Sequence, residues 1–268
     1  IVTKAIGQLG GADFVYMATD ADAQVNVNSG ANIQASGNVT LSAHSNALTE
    51  AMAVAALGDL ANVSLAGVYG VSDASSTAKI HAGATIQAGG DLSVTAHNES
   101  YLSSSAFVLN AEKANQAVLA GAYGEANVDS NAIIESGANV HATDVTVAAE
   151  NLNRFYVSAS TYGLKDTRYG LAVAVADLNT HATAEMGASL GSDLNRVGNV
   201  SVLALDRTVE QRVHSGVTVG SNLVMRTIGS QVVKGITKVQ NGTSSAVRQN
   251  NASGESPEEV KFKGGLAF

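Results

Sequence analysis

The chain repeats itself about every 53 residues, and this self-similarity restricts the possible folds more than any single motif does. Ser29–Ala43 (SGANIQASGNVTLSA) recurs as Ala82–Ala96 (AGATIQAGGDLSVTA), as Ser136–Ala149 (SGANVHATDVTVAA) and more loosely as Met186–Ala204 (MGASLGSDLNRVGNVSVLA). Gly30, Gly83, Gly137 and Gly187 lie 53, 54 and 50 residues apart, whereas Leu41, Val94, Val147 and Val202 lie 53, 53 and 55 apart. The mismatch places the insertions and deletions between Ala35 and Val39 and at the matching points. These stretches are Ser-Gly-Asn, Gly-Gly-Asp, Thr-Asp and Gly-Ser-Asp-Leu-Asn-Arg, so they read as turns.

Between the turns the residues alternate. Leu92, Val94 and Ala96 share one face while Ser93 and Thr95 share the other, and Val39, Leu41 and Ala43 do the same one copy earlier. Period two is the mark of a half-buried strand. A shorter strand precedes it, centred on Ile33, Ile86, Val140 and Leu190, and before that lies another with Val27, Ile80 and Ile134 in equivalent places. The second half of each unit stays in phase: Ser64–Gly70 matches Val118–Gly124, and Gly170–Ala176 follows. Strands at matching positions, joined by corners of Gly and Asn or Asp, predict an all-β chain that winds as a right-handed parallel β-helix. Each repeat then corresponds to two coils of about 26 residues or three of about 18, with two preferred, and the stack forms a rod roughly 40 to 50 Å long. A β-sandwich leaves the matching of residues 53 apart unexplained, and the nonapeptides of a calcium β-roll are absent.

The solenoid is expected over 1–238, with repeats at 1–19 (partial), 20–72, 73–125, 126–177 and 178–238. Residues 239–259, which are polar and contain the only proline, Pro257, read as a linker or loop, and 260–268 as the possible start of a further strand. Small residues dominate and Trp is missing, which suits tight layers of Ala, Val, Ile and Leu better than a bulky centre. The chain opens at Ile1 on a truncated copy, as a segment cut from a longer polypeptide would. No apolar run reaches the roughly 18 to 20 residues that span a bilayer, so no membrane insertion is expected. Zero Cys excludes disulfides and thiolate sites. The net charge of −8 argues against nucleic acid as a partner. That charge is uneven: residues 1–150 hold fourteen acidic side chains against Lys4, Lys79 and Lys113 (−11), and residues 151–268 hold nine acidic against twelve basic (+3).

Segments of the form GA(N/T)(I/V)xA…(V/L)(T/S)(L/V)xA, followed by Ala- and Gly-rich strands such as Leu65–Gly70, resemble the β-helical shafts of large bacterial filamentous adhesins. The likeness is to the filamentous-haemagglutinin and leukotoxin-type group, exported by two-partner or autotransporter routes, and it spans residues 14–237. It implies a secreted or cell-surface shaft that holds a binding tip away from the envelope. The partner is then an unknown receptor or glycan, or copies of the same chain.

Few residues offer chemistry. Tyr16, Tyr69 and Tyr123 fall 53 and 54 apart and read as a stacked ladder, with a glycan-binding aromatic strip as the functional alternative. His44 and His97 are in register, but Glu150 and Leu205 follow, so the position reads as the surface end of a strand. His81 and His141 sit on outward faces, His181 and His214 stand apart, and no H-x-x-x-H spacing supports zinc. Parallel β-helices also host polysaccharide-degrading enzymes, which need converging carboxylates, often with Lys or Arg. Asp20 and Asp73 are in register with Asp22 nearby, yet lack that basic partner; solvated or turn-capping residues are the preferred reading, ahead of a cation site or catalysis. No G-x-S-x-G, P-loop or dinucleotide motif occurs. No catalytic, metal or cofactor residue is therefore assigned, and a non-enzymatic shaft is expected, with a β-helical enzyme and a self-assembling surface lattice as alternatives.

Overall fold

A computed structural model describes residues 2–10, 12–56, 63–110, 117–164, 169–190, 197–220, 245–246 and 266–267. Fifteen strands occur among them: β1 (Val2–Gly10), β2 (Ala12–Val27), β3 (Asn32–Ala35), β4 (Val39–Ala56), β5 (Val63–Ile80), β6 (Thr85–Ala88), β7 (Leu92–Asn110), β8 (Ala117–Ile134), β9 (Asn139–His141), β10 (Val145–Leu164), β11 (Tyr169–Met186), β12 (Ser189–Leu190), β13 (Val200–Gly220), β14 (Ser245–Ala246) and β15 (Leu266–Ala267). They form three sheets. The first runs β1-β4-β7-β10-β13, the second β14-β11-β8-β5-β2 and the third β12-β9-β6-β3. Every pairing is parallel except that of β15 with β11. Successive turns of chain thus stack in sequence order, which is a parallel β-helix.

Register follows the repeat position by position. Leu41 pairs with Val94 and Val94 with Val147, Ile33 with Ile86 and Ile86 with Val140, and Val27 with Ile80 and Ile80 with Ile134. Because each residue pairs with its equivalent one whole repeat away, one repeat is one coil. The expectation of two or three coils per repeat is therefore corrected, and the 40 to 50 Å rod with it. Each coil consists of two long strands and one short one. The long strands hold mostly 16 to 21 residues, about 60 Å at 3.3 Å per residue. Five stacked rungs of the first sheet add only about 20 Å along the axis. The described body is therefore wider across its coils than it is tall.

The two long sheets lie face to face with their strands antiparallel across the gap. Ser45 meets Ala21, Thr49 meets Val71, and Val54 meets Asp13, so rising numbers on β4 face falling numbers within a coil opposite. The short third sheet closes one end of this flattened cross-section. There the corner glycines Gly30, Gly83 and Gly137 sit at φ of 79°, 79° and 90°, a region that only a residue without Cβ enters freely. Beside the short sheet lies one apolar cluster built on Ile80, Ile86, Leu92, Val94, Ile134 and Val140. At the far end lies a second, built on Leu102, Val108, Val118, Val128, Phe155 and Val157.

Between the clusters the two sheets meet through a buried polar belt that the alternation pattern does not reveal. Ser45, Asn98, Asn151 and Asp206 form a column on the first sheet. Asn98 Nδ2 donates to Asp129 O (2.6 Å) and to Asn151 Oδ1 (3.3 Å), and Asn151 Nδ2 donates to His181 O (2.7 Å). Ser130 Oγ lies 2.6 Å from Asn151 Oδ1 and 3.2 Å from Ser76 Oγ. Removing one amide would leave its partners buried without a bond, which is more damaging than never having had the pair. At the end of the column burial raises the Asp206 carboxyl, while the Thr180 hydroxyl bonds it and opposes that rise.

On β13 a bulge inserts Val209 between the partners of Asn153 and Arg154. The extra residue returns Gln211 and Val213 to the inner face, so it accounts for the 55-residue spacing growing to 56. Ser245–Ala246 and Leu266–Ala267 add to the edge of the second sheet beside β11. The rest of the expected 239–259 linker and of 260–268 lies outside the described residues.

Candidate functional site

The outer face of the second sheet carries the most ordered surface feature. Tyr16, Tyr69 and Tyr123 are direct register partners on β2, β5 and β8. Their ring centroids lie 5.5 and 4.9 Å apart, with interplanar angles of 18° and 8°. These rings face one another along the stacking axis. Both faces of Tyr69 are covered by its neighbours, and it is the ring edges that meet solvent. A sugar stacks on an exposed ring face, so the ladder reading accounts for the three tyrosines and the aromatic-strip reading loses its platform at Tyr69.

Beside the ladder runs the column Phe14, Gly67, Gly121 and Val173. The two glycines floor a shallow apolar trough of about 540 Å³ bounded by Phe14, Tyr16, Tyr69 and Tyr123. A Cβ on Gly67 would sit 2.5 Å from Phe14 Cδ1, so the Phe14 ring leans across that glycine, whereas Gly121 has nothing within 4 Å. On the other side of the ladder stand Val71, Glu125 and Asp177. The Tyr69 hydroxyl donates to Glu125 Oε2 at 3.0 Å. This bond, with burial and the carboxylate's charge, pushes the Tyr69 phenol up to about 12. Burial first, then the charges of Glu125 and Asp177, raises Tyr123.

One position further along lie Asp20, Asp73, Asn127 and Asn179. Asn127 Nδ2 donates to Asp73 Oδ1 (2.8 Å) and Glu125 Oε1 (3.2 Å), and Gln24 Nε2 donates to Asp22 Oδ2 (3.0 Å). Among the described residues, amides and not a Lys or Arg serve Asp73, Glu125 and Asp22. Lys79 sits on the same strand as Asp73 but six residues on, roughly 20 Å away. It pairs instead with Glu135 at 2.5 Å. That ion pair, helped by the Ala82 N–H, holds the Glu135 carboxyl down at about 2.

The histidines sort differently from their spacing along the chain. His81 Nδ1 lies 3.4 Å from Glu135, and His181 Nδ1 lies 3.2 Å from Asp129, its register partner. On the outer face of the first sheet, His44 and His97 are stacked partners with ring centroids 4.9 Å apart at 80°. Glu99, two residues after His97 and so on the same face, brings its carboxylate to 3.4 Å from His97 Nε2. A search for H-x-x-x-H misses this group because the two histidines are 53 residues apart and the third member is a carboxylate. The signal that finds it is the repeat itself, since Glu99 is one outward position beyond a His that follows a His.

The fold and this surface together define a parallel β-helix whose repeated positions are occupied by stacking ladders. No family model, no curated protein and no solved structure matches the chain. Among the described residues no helix is long and apolar enough to cross a membrane.

Proposed function

We propose that this chain is a non-catalytic shaft segment of a secreted or cell-surface bacterial adhesin or filamentous protein. The observation that carries this reading is that recurring residues stack on their own equivalents. Val94 stacks between Leu41 and Val147, Tyr69 between Tyr16 and Tyr123, and Asn98 between Ser45 and Asn151. A repeat under such demands carries a mechanical load through strand pairing, because the long strands of each coil pair in parallel with those of the next. The outward Ser, Thr, Asn and acidic side chains keep the surface wetted. At one coil per 53 residues, about 1,100 residues would extend such a shaft by 100 Å, which fits chains of great length.

The test is location. An antibody raised against this chain, applied to intact and to permeabilised cells of the source organism, labels intact cells if the segment is displayed, and protease shaving removes the label. Labelling that requires permeabilisation, with no antigen in the medium, overturns the reading.

A further inference from the structure

We infer that His44, His97 and Glu99 form a surface site for a borderline divalent transition-metal ion, zinc foremost, that clamps two adjacent coils together. One ligand atom from each of the three lies within 4.8 Å of the others, and no other such group of His, Cys, Asp or Glu occurs among the described residues. Ligand atoms around tetrahedral zinc, with bonds of 2.0–2.2 Å, are spread by roughly 3.3 Å. His97 Nε2 and Glu99 Oε1 already stand at 3.4 Å. His44, exposed on the adjacent rung, has a ligand nitrogen within 4.8 Å of both, so binding requires it to move inward by at most about 1.5 Å.

The surroundings are those of a metal site rather than of an accidental pair. A ligating imidazole usually offers its second nitrogen to a carboxylate, which sets its tautomer and raises its basicity. Glu150, the next residue in the same column, places Oε2 3.5 Å from His97 Nδ1, and Arg207 Nη2 stands 3.6 Å from the other oxygen of Glu150. Asn46 Nδ2 lies 3.4 Å from Glu99 Oε2, leaving Oε1 for the metal. Two imidazoles and one carboxylate select zinc and its neighbours over calcium or magnesium, which take oxygen alone. The fourth position faces solvent. Because the ligands come from β4 and β7, the bound ion would tie one coil to the next.

The experiment is calorimetric titration of ZnCl₂ into the tag-free chain, beside His44→Ala, His97→Ala, Glu99→Gln and the distant control His181→Ala. We expect one tight equivalent, weakened at least tenfold in each of the three variants and unchanged in the control. Zinc at a hundredfold excess over the wild-type Kd raises the melting temperature by about 5 °C in the wild type and in His181→Ala, and by clearly less in the three site variants. Co²⁺ as a spectroscopic stand-in gives the intense visible bands of a four-coordinate site. His44 is exposed, so its variant keeps the native circular dichroism, and loss of binding there reports the ligand rather than the fold. The inference is overturned by no saturable binding, by binding that His181→Ala weakens and His44→Ala does not, or by only the weak bands of hydrated Co²⁺. None of these outcomes bears on surface display, which the antibody test decides separately.

Discussion

Val94→Asp tests the register most directly. Val94 is fully buried, pairs with Leu41 and Val147, and belongs to the apolar cluster beside the short sheet. Truncation to Ala removes two methyl-sized groups worth about 0.8 kcal/mol each and leaves a cavity, roughly 2 kcal/mol in all. Aspartate loses the same contacts and adds an unpaired carboxylate, which costs a further 3 kcal/mol or so. The sum, about 5 kcal/mol, reaches the lower end of the whole stability of a domain. Ser93→Asp, one residue away on the outer face, should stay within about 0.5 kcal/mol of wild type. Urea unfolding followed by circular dichroism ranks the three variants, and native-state amide exchange locates the damage. Because coils contact only their neighbours, protection should fall first on the rungs of β4, β7 and β10. A Val94→Asp protein that unfolds at the wild-type midpoint, or a Ser93→Asp protein that is the worse of the two, would refute the assignment of inner and outer faces.

Coil length is checked by cysteine pairs, since the chain has none of its own. Ser42→Cys with Thr95→Cys joins outward register partners and should oxidise readily, their Cα atoms lying at the strand spacing of about 4.8 Å. Ser42→Cys with Val68→Cys, the neighbour that a coil of about 26 residues would supply, should stay reduced; bridging there would restore the shorter coil. Ultraviolet titration should show Tyr69 ionising late, near pH 12, and Glu125→Gln should bring it back toward 10. The folded form keeps this proton after the unfolded chain has lost it, so the contribution to stability is complete below pH 10 and disappears as pH rises through 12. Increasing stability over that interval would contradict the Tyr69–Glu125 bond. Gly121→Ala, with nothing within 4 Å of the new Cβ, should stabilise by about 0.4–1 kcal/mol. Gly124→Ala puts its Cβ 2.6 Å from Val157 Cγ2 and should destabilise by about 1–3 kcal/mol. Thermal melts of the two variants moving in the same direction would mean that the faces of β8 are misassigned.

What the amino-acid order determined by itself was equivalence: which residues share a column. A period of 53 with period-two alternation inside it names Leu41, Val94 and Val147 as one inner column and Tyr16, Tyr69 and Tyr123 as one outer column, and the structure pairs both sets. The corners were legible for the same reason, since Gly30, Gly83 and Gly137 stand where a left-handed backbone is required. Coil length was not legible. Alternation looks alike in a strand of six residues and one of eighteen, and the middles of β4, β7 and β10 hold Asn46, Asn98 and Asn151, a residue type that a corner and a buried column use alike. Only tertiary structure decided that two long strands fold back face to face, and that fold-back created every contact across the gap. The inward column of Ser45, Asn98 and Asn151 became a hydrogen-bonded belt because the opposite sheet supplies its acceptors. His44 met His97 and Glu99 because strand pairing brings together in space groups that lie a whole repeat apart along the chain.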